Sequence, residues 1–147
     1  MKTWLLTWNP NRYAWDEING GFDDLLNRLR QVGHIFDTWS TGVNTSIREG
    51  DRLFLIRLGK EPRGIVASGY AVTNVFKSPH WELHKAIKGD MSKNVYIEFD
   101  KMILPQESPL PMSVLKDIAP FFKWSSQASG ISIPDDIAEE LEKIWKE

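Results

Sequence analysis

"DRLFLIRLGKEPRGIVASGYAVTNVF" runs from Asp51 to Phe76, and its pattern decides the fold. In "DRLFLIRLG" (Asp51 to Gly59), Leu53 and Leu55 alternate with Phe54, Ile56 and Leu58. Both faces of that strand are apolar, so it belongs in the middle of a sheet and not at its edge. "GIVASGYAVTNVF" (Gly64 to Phe76) follows as a second strand. Between them Lys60, Glu61, Pro62 and Arg63 form a polar turn, which makes the pair a hairpin.

On the N-terminal side, "TWLLTW" (Thr3 to Trp8) reads as a buried strand that ends at Asn9-Pro10-Asn11. "GFDDLLNRLRQVG" places Phe22, Leu25, Leu26 and Leu29 at helical spacing and stops at Gly33. "HIFDTW" reads as a short strand leading into a Ser-Thr-Gly loop. On the C-terminal side, "NVYIEFDKMI" (Asn94 to Ile103) alternates Val95, Ile97 and Phe99 with Tyr96, Glu98 and Asp100, a strand buried on one face. Pro105, Pro109 and Pro111 then mark an extended connector before the short helix "SVLKDI". The closing helix has Pro134, Asp135 and Asp136 at its start, Lys143 and Lys146 near its end, and an apolar stripe of Ile137, Leu141, Ile144 and Trp145. Those charges suit the helix dipole. The expectation is one α+β domain spanning residues 1–147, a small curved mixed sheet or barrel with helices packed around it.

The 147 residues can bury one sizeable core, and 41% hydrophobic with 26% charged residues is the composition of a soluble globular protein. The sequence lacks a long apolar run, so no membrane span is expected, and "MKTWLLTW" is not expected to be a signal peptide because Asn9 and Pro10 interrupt it. Zero cysteines exclude disulfides and thiol chemistry and suit a reducing cytoplasm. The net charge of −2 argues against strong nonspecific binding to nucleic acid. Residues 48–101 nevertheless hold ten basic residues against seven acidic ones, a local excess that suits a small basic rim.

Catalytic patterns are weak. His80 and His84 in "HWELH" are four apart, but Glu82 is not the residue directly after the first histidine, where a zinc protease needs it. Neither a Gly-x-Ser-x-Gly elbow nor a Walker spacing occurs, and the paired acids sit on predicted helix exteriors. No catalytic, metal or cofactor site is expected.

Seven tryptophans in a domain this small exceed the needs of packing. Trp4, Trp8, Trp124 and Trp145 read as core. Trp15, Trp39 and Trp81 lie beside Asn-Pro-Asn, Ser-Thr-Gly and Ser-Pro-His, as loop anchors or as the walls of an aromatic cage. Asn9, Asn11, Ser40, Thr41 and Asn44 could serve the polar edge of a caged ring.

"WLLTWNPN", "WSTG", "GDRLFLIRLGKEPRGIVASGY", "SPHWE" and "SGISIPDDIAEELEKIW" together resemble an EVE domain, of the PUA-like superfamily that also includes YTH domains. The similarity spans essentially the whole sequence and is strongest to the EVE modules of modification-dependent HNH restriction endonucleases. The resemblance implies a PUA-like twisted sheet with a pocket for one modified base, either a 5-methylcytosine type flipped from DNA or an N6-methyladenine type. By position, Trp39 and Trp81 match two cage walls, Ser40 the hydroxyl residue beside the first wall, and Asn9 or Asn11 the asparagine that bonds the base edge. The third wall of YTH domains is aliphatic, whereas this sequence reads Ser92-Lys93-Asn94 there, with Tyr70 as a candidate substitute.

Arg48, Arg57, Lys60, Arg63, Lys77, Lys85, Lys88 and Lys93 are the candidates for flanking phosphates. The expected function is a noncatalytic, monomeric reader of modified nucleic acid, DNA more than RNA. A partner or fused domain would supply any nuclease. The competing reading is a small-molecule or protein-partner binding module on the same scaffold.

Overall fold

The computed structural model describes residues 1–12, 21–126 and 128–146. Along the chain lie β1 (Thr3–Trp8), α1 (Gly21–Val32), β2 (Ile35–Gly42), β3 (Arg52–Arg57), β4 (Gly64–Ala71), β5 (Phe76–Pro79), α2 (Leu83–Ile87) and β6 (Met91–Met102). A 3-10 turn (Pro105–Glu107), α3 (Met112–Ile118), β7 (Ile131–Ile133) and α4 (Asp135–Trp145) complete it.

The strands form one curved, unclosed mixed sheet in the order β2-β6-β4-β3-β1-β7, with β5 also paired to β6. As its two apolar faces require, β3 is central, between β4 and β1. The β1–β3 pair is parallel and the other strand pairs are antiparallel. A parallel pair needs a crossover, which α1 and β2 provide.

Alternation along β3 divides the interior between the two faces of the sheet. Leu53 and Leu55 join Trp4, Trp8, Trp39, Val95, Ile97 and Phe99 beneath Phe22, Leu25, Leu26 and Leu29 of α1. Phe54 and Ile56 join Leu115, Trp124, Ile137, Leu141 and Trp145 on the other face. Full burial of each such large side chain contributes roughly 1.5–3 kcal/mol. The four tryptophans expected in the core, Trp4, Trp8, Trp124 and Trp145, are buried there.

Two local expectations change, and the four-residue spacing of His80 and His84 falls across a helix start. Trp39 and the Ser-Thr-Gly after it belong to β2, because that strand continues to Gly42 against β6, with an irregularity between Ser40 and Gly42. The Gly64–Phe76 strand ends at Ala71, and Phe76 begins β5. His80 lies ahead of α2, so His80 and His84 do not share a helical face. Among the described residues no group of three or more His, Cys, Asp or Glu could hold a metal ion, and no helix is long and apolar enough to cross a membrane.

Candidate nucleic-acid interface

A cleft of about 730 Å³ opens where the ends of β1, β2 and β6 converge with the chain after β5. Trp8 and Asn9 line one part, and Asp37 to Ser40 line another. The segment from Ser78 to Glu82, with Lys85, and the segment from Met91 to Asn94 complete most of the surface, with Ala128 and Ser129 at one end.

Besides Trp8, the indoles of Trp39 and Trp81 line this cleft. Trp39 is turned inward by the alternation of β2, is 7% exposed, and donates its Nε1–H to the Thr7 carbonyl at 3.1 Å. Its accessible remainder faces the cleft. Trp81 is 39% exposed, and its ring stacks on His80 with centroids 5.3 Å apart and planes at 28°. His80 is held in turn by the Glu82 backbone N–H, which donates to Nδ1 at 3.0 Å. That bond assigns Nδ1 as the acceptor nitrogen of the ring.

The polar lining is fixed by its own hydrogen bonds. Ser129 Oγ donates to the Ser40 carbonyl at 2.8 Å and accepts from the Thr7 N–H at 3.2 Å, so one hydroxyl bridges β1 and β2 across the gap in the sheet. Ser40 Oγ accepts from the Gly42 N–H at 3.2 Å. Asp37 faces the cleft in a partly buried setting that raises its pKa above the usual carboxylate range, a rise opposed by the Thr38 N–H and by Arg28.

Arg12, Lys85 and Lys93 contribute cationic groups to the lining, and Asp37 and Glu82 contribute acids. Lys93 pairs in register with Lys77 of β5. Like charges directly opposite on neighbouring strands destabilise a sheet, so this pairing fits a surface that meets an anion.

The structure thus brings Trp39, Trp81, Ser40, Asn9 and Lys93 to one cleft, with Lys77 beside it. Other predicted residues lie elsewhere. Thr41 is fully buried and donates its hydroxyl to the Asn44 carbonyl at 2.8 Å. Asn44 donates to the Gly130 carbonyl and accepts from the Ser46 and Ile47 N–H groups, as a loop anchor does. Asn11 donates to the Gly59 carbonyl at 3.2 Å, tying the chain after β1 to the hairpin. Gly59 is confined to glycine there, since its φ is +83° and a Cβ would stand 2.1 Å from Asn9 Oδ1.

Tyr70 is on the opposite face of the sheet, where the Arg52 guanidinium covers its ring at 4.7 Å. Arg52 is buried and pairs with Asp100 at 2.9 Å and Glu142 at 3.1 Å, so this Tyr70 corner is structural. Arg57 covers the Trp8 ring at 5.5 Å and donates to the Pro62 carbonyl, while Arg63 pairs with Glu61 at 2.7 Å. Lys60 is exposed in the hairpin turn. Trp15 lies outside the described residues.

Sequence reasoning did not select Arg12, Asp37, Ser78 or Ser129, which also line the cleft. Asp37 and Arg12 carried a signal, being close to Trp39 and to the Asn-Pro-Asn stretch. Ser129 carried none, because its role depends on a contact spanning most of the chain.

The sequence matches no family model, and no curated protein is significantly similar to it. Solved structures do share its fold. Human THYN1, in complex with DNA containing 5-methylcytosine, is 14% identical with a TM-score of 0.65, and the match covers 100% of this chain and 99% of that one. A hypothetical protein from Leishmania major is 12% identical with a TM-score of 0.67, covering 99% and 95% of the two chains. The Mmi1 YTH domain is 8% identical with a TM-score of 0.51, covering 99% of this chain and 75% of that domain. These likenesses show a shared fold, the α+β curved mixed sheet with flanking helices that was expected.

Proposed function

We propose that this protein is a noncatalytic reader of a modified nucleobase, 5-methylcytosine or N6-methyladenine in type, that takes a flipped base into the cleft beside Trp81 and Trp39. The observation that carries this reading is the lining itself: the indoles of Trp8, Trp39 and Trp81, fixed hydrogen-bonding groups and the cations of Arg12, Lys85 and Lys93 share one open cleft. The THYN1 complex supports it, since a protein of this fold is seen with DNA containing 5-methylcytosine.

Each part of the lining has a task suited to its chemistry. Aromatic stacking returns about 1–3 kcal/mol per base, comparable with the few kcal/mol needed to extrude one. The cations hold the flanking phosphates, which position the strand without reading its sequence. On this reading DNA is the preferred substrate, and any cleavage at the marked site belongs to a partner or fused nuclease.

Fluorescence anisotropy tests the proposal with DNA and RNA strands carrying 5-methylcytosine, N6-methyladenine or neither. A several-fold preference for one modified strand is expected, and it should vanish in Trp81→Ala. Equal affinity for modified and unmodified strands, or no binding at low salt, would overturn it.

A further inference from the structure

One wall of the cleft is polar where the family resemblance leads one to expect an aliphatic side chain. Ser78 and Ser92 are register partners across β5 and β6, and Asn94 follows on the same face of β6. All three line the cleft. The Asn94 amide nitrogen donates to Ser78 Oγ, to Ser92 Oγ at 2.9 Å and to the Ser92 carbonyl at 3.3 Å. A carbonyl can only accept, so it is the amide nitrogen, and not the oxygen, that faces it.

The other end of the amide is the informative one. Asn94 is 8% exposed, yet Oδ1 has no hydrogen-bond partner among the described residues and is not sealed from solvent. It belongs to a side chain that lines the cleft, and three contacts made through the amide nitrogen fix its direction. An apolar group pressed against it would strip away its water and give nothing back.

We propose that the Ser78–Ser92–Asn94 wall selects a base presenting a hydrogen-bond donor to Asn94 Oδ1. The assignment rests on the base-reader function above and names its substrate class. The donor assigned is an exocyclic amino group or a hydroxymethyl substituent; the ring N3–H of a uracil-type base would instead rank both uracil-type bases above both cytosines, and that ranking overturns the assignment. A base offering only a methyl or a carbonyl to this wall leaves the acceptor unpaired and is disfavoured.

Four bases separate the two sources: 5-methylcytosine, thymine, 5-hydroxymethylcytosine and 5-hydroxymethyluracil, each at one position of an otherwise purine DNA strand. If the amino group is read, both cytosines bind on the order of ten-fold more tightly than both uracil-type bases. If the hydroxymethyl group is read, both hydroxymethyl bases bind more tightly than both methyl ones. In either case Asn94→Leu, which keeps the size and removes the acceptor, levels the four affinities. Ser78→Ala, which loosens the amide without removing it, lowers the discrimination by less.

Equal wild-type affinity for all four bases overturns the assignment even if Asn94→Leu fails to fold, as does a ranking that survives in a folded Asn94→Leu. If 5-methylcytosine is bound above plain cytosine while the four remain level, the reader function stands and the role of Asn94 falls. If no modified base is preferred, both fall.

Discussion

Lys77 stands directly across from Lys93 in the β5–β6 ladder, two cations paired where opposite charges would stabilise the sheet. Lys93 also lines the cleft. Lys93→Gln should therefore act in two directions at once. Binding should weaken by a similar factor for every base tested, and the slope of log affinity against log salt should fall by about one. The melting temperature should rise slightly, by roughly 1–2 °C. Salt-dependent anisotropy and a thermal melt measure the two effects, and loss of stability together with an unchanged salt slope would assign Lys93 to the scaffold.

The two indoles should respond differently to truncation. Trp81 is 39% exposed, so Trp81→Ala should leave the melting temperature within a few degrees while weakening modified strands about 5- to 100-fold. Trp39 is 7% exposed and hydrogen-bonded to Thr7, so Trp39→Ala should cost about 3–5 kcal/mol of stability. Denaturant melts of both variants distinguish them. Equal destabilisation would mean that Trp81 is as much a core residue as Trp39.

Asp37 gives a pH-dependent prediction whose sign follows from burial. Its pKa is raised in the folded protein, so the ionised form costs stability above that pKa, and the cost is relieved as the pH falls through it. Asp37→Asn should therefore be more stable than the wild type near about pH 7, with the difference shrinking toward about pH 4. Paired melts across that range would show a constant or widening difference if the carboxylate were instead stabilised by its partners.

Asp51 should behave in the opposite way. Burial pushes its pKa up, but donors from Arg48 N–H, the Trp4 indole and Lys2 N–H outweigh that and hold it below the usual range. The stability it contributes is present above the unfolded-state pKa and is lost as pH falls through the lower folded value. Asp51→Ala strands three donors and should cost about 2–4 kcal/mol at neutral pH. A urea titration reads this directly, and a loss below about 1 kcal/mol would show that water replaces the carboxylate.

Much of this architecture could be read from periodicity. The hairpin that begins at Asp51, the α1 stripe at Phe22, Leu25, Leu26 and Leu29, and α4 with its terminal charges each carry a strong local pattern and each forms, although the second hairpin strand stops at Ala71, short of Phe76. The cleft was legible only in part. Trp39 and Trp81 stood out as large rings beside small polar residues, but nothing local showed that Ser-Thr-Gly continues β2, because the partner that extends it is Lys93-Asn94 far along the chain. The same is true of Tyr70, whose face of the sheet is set by Arg52, Asp100 and Glu142. Short polar segments take their conformation from tertiary contacts, so their roles become visible only when those contacts do.

The hydroxyl of Ser129 makes occupancy and integrity one equilibrium. It joins the Thr7 N–H to the Ser40 carbonyl, so the cleft draws on β1, β2 and a segment that arrives 122 residues after Thr7 and 89 after Ser40. A fragment that stopped short of Ser129 would lack that joint. Ligand that enters the cleft should consequently shift the midpoint of whole-chain unfolding, by about 2.7 kcal/mol at a hundred-fold excess over Kd, instead of merely quieting one loop.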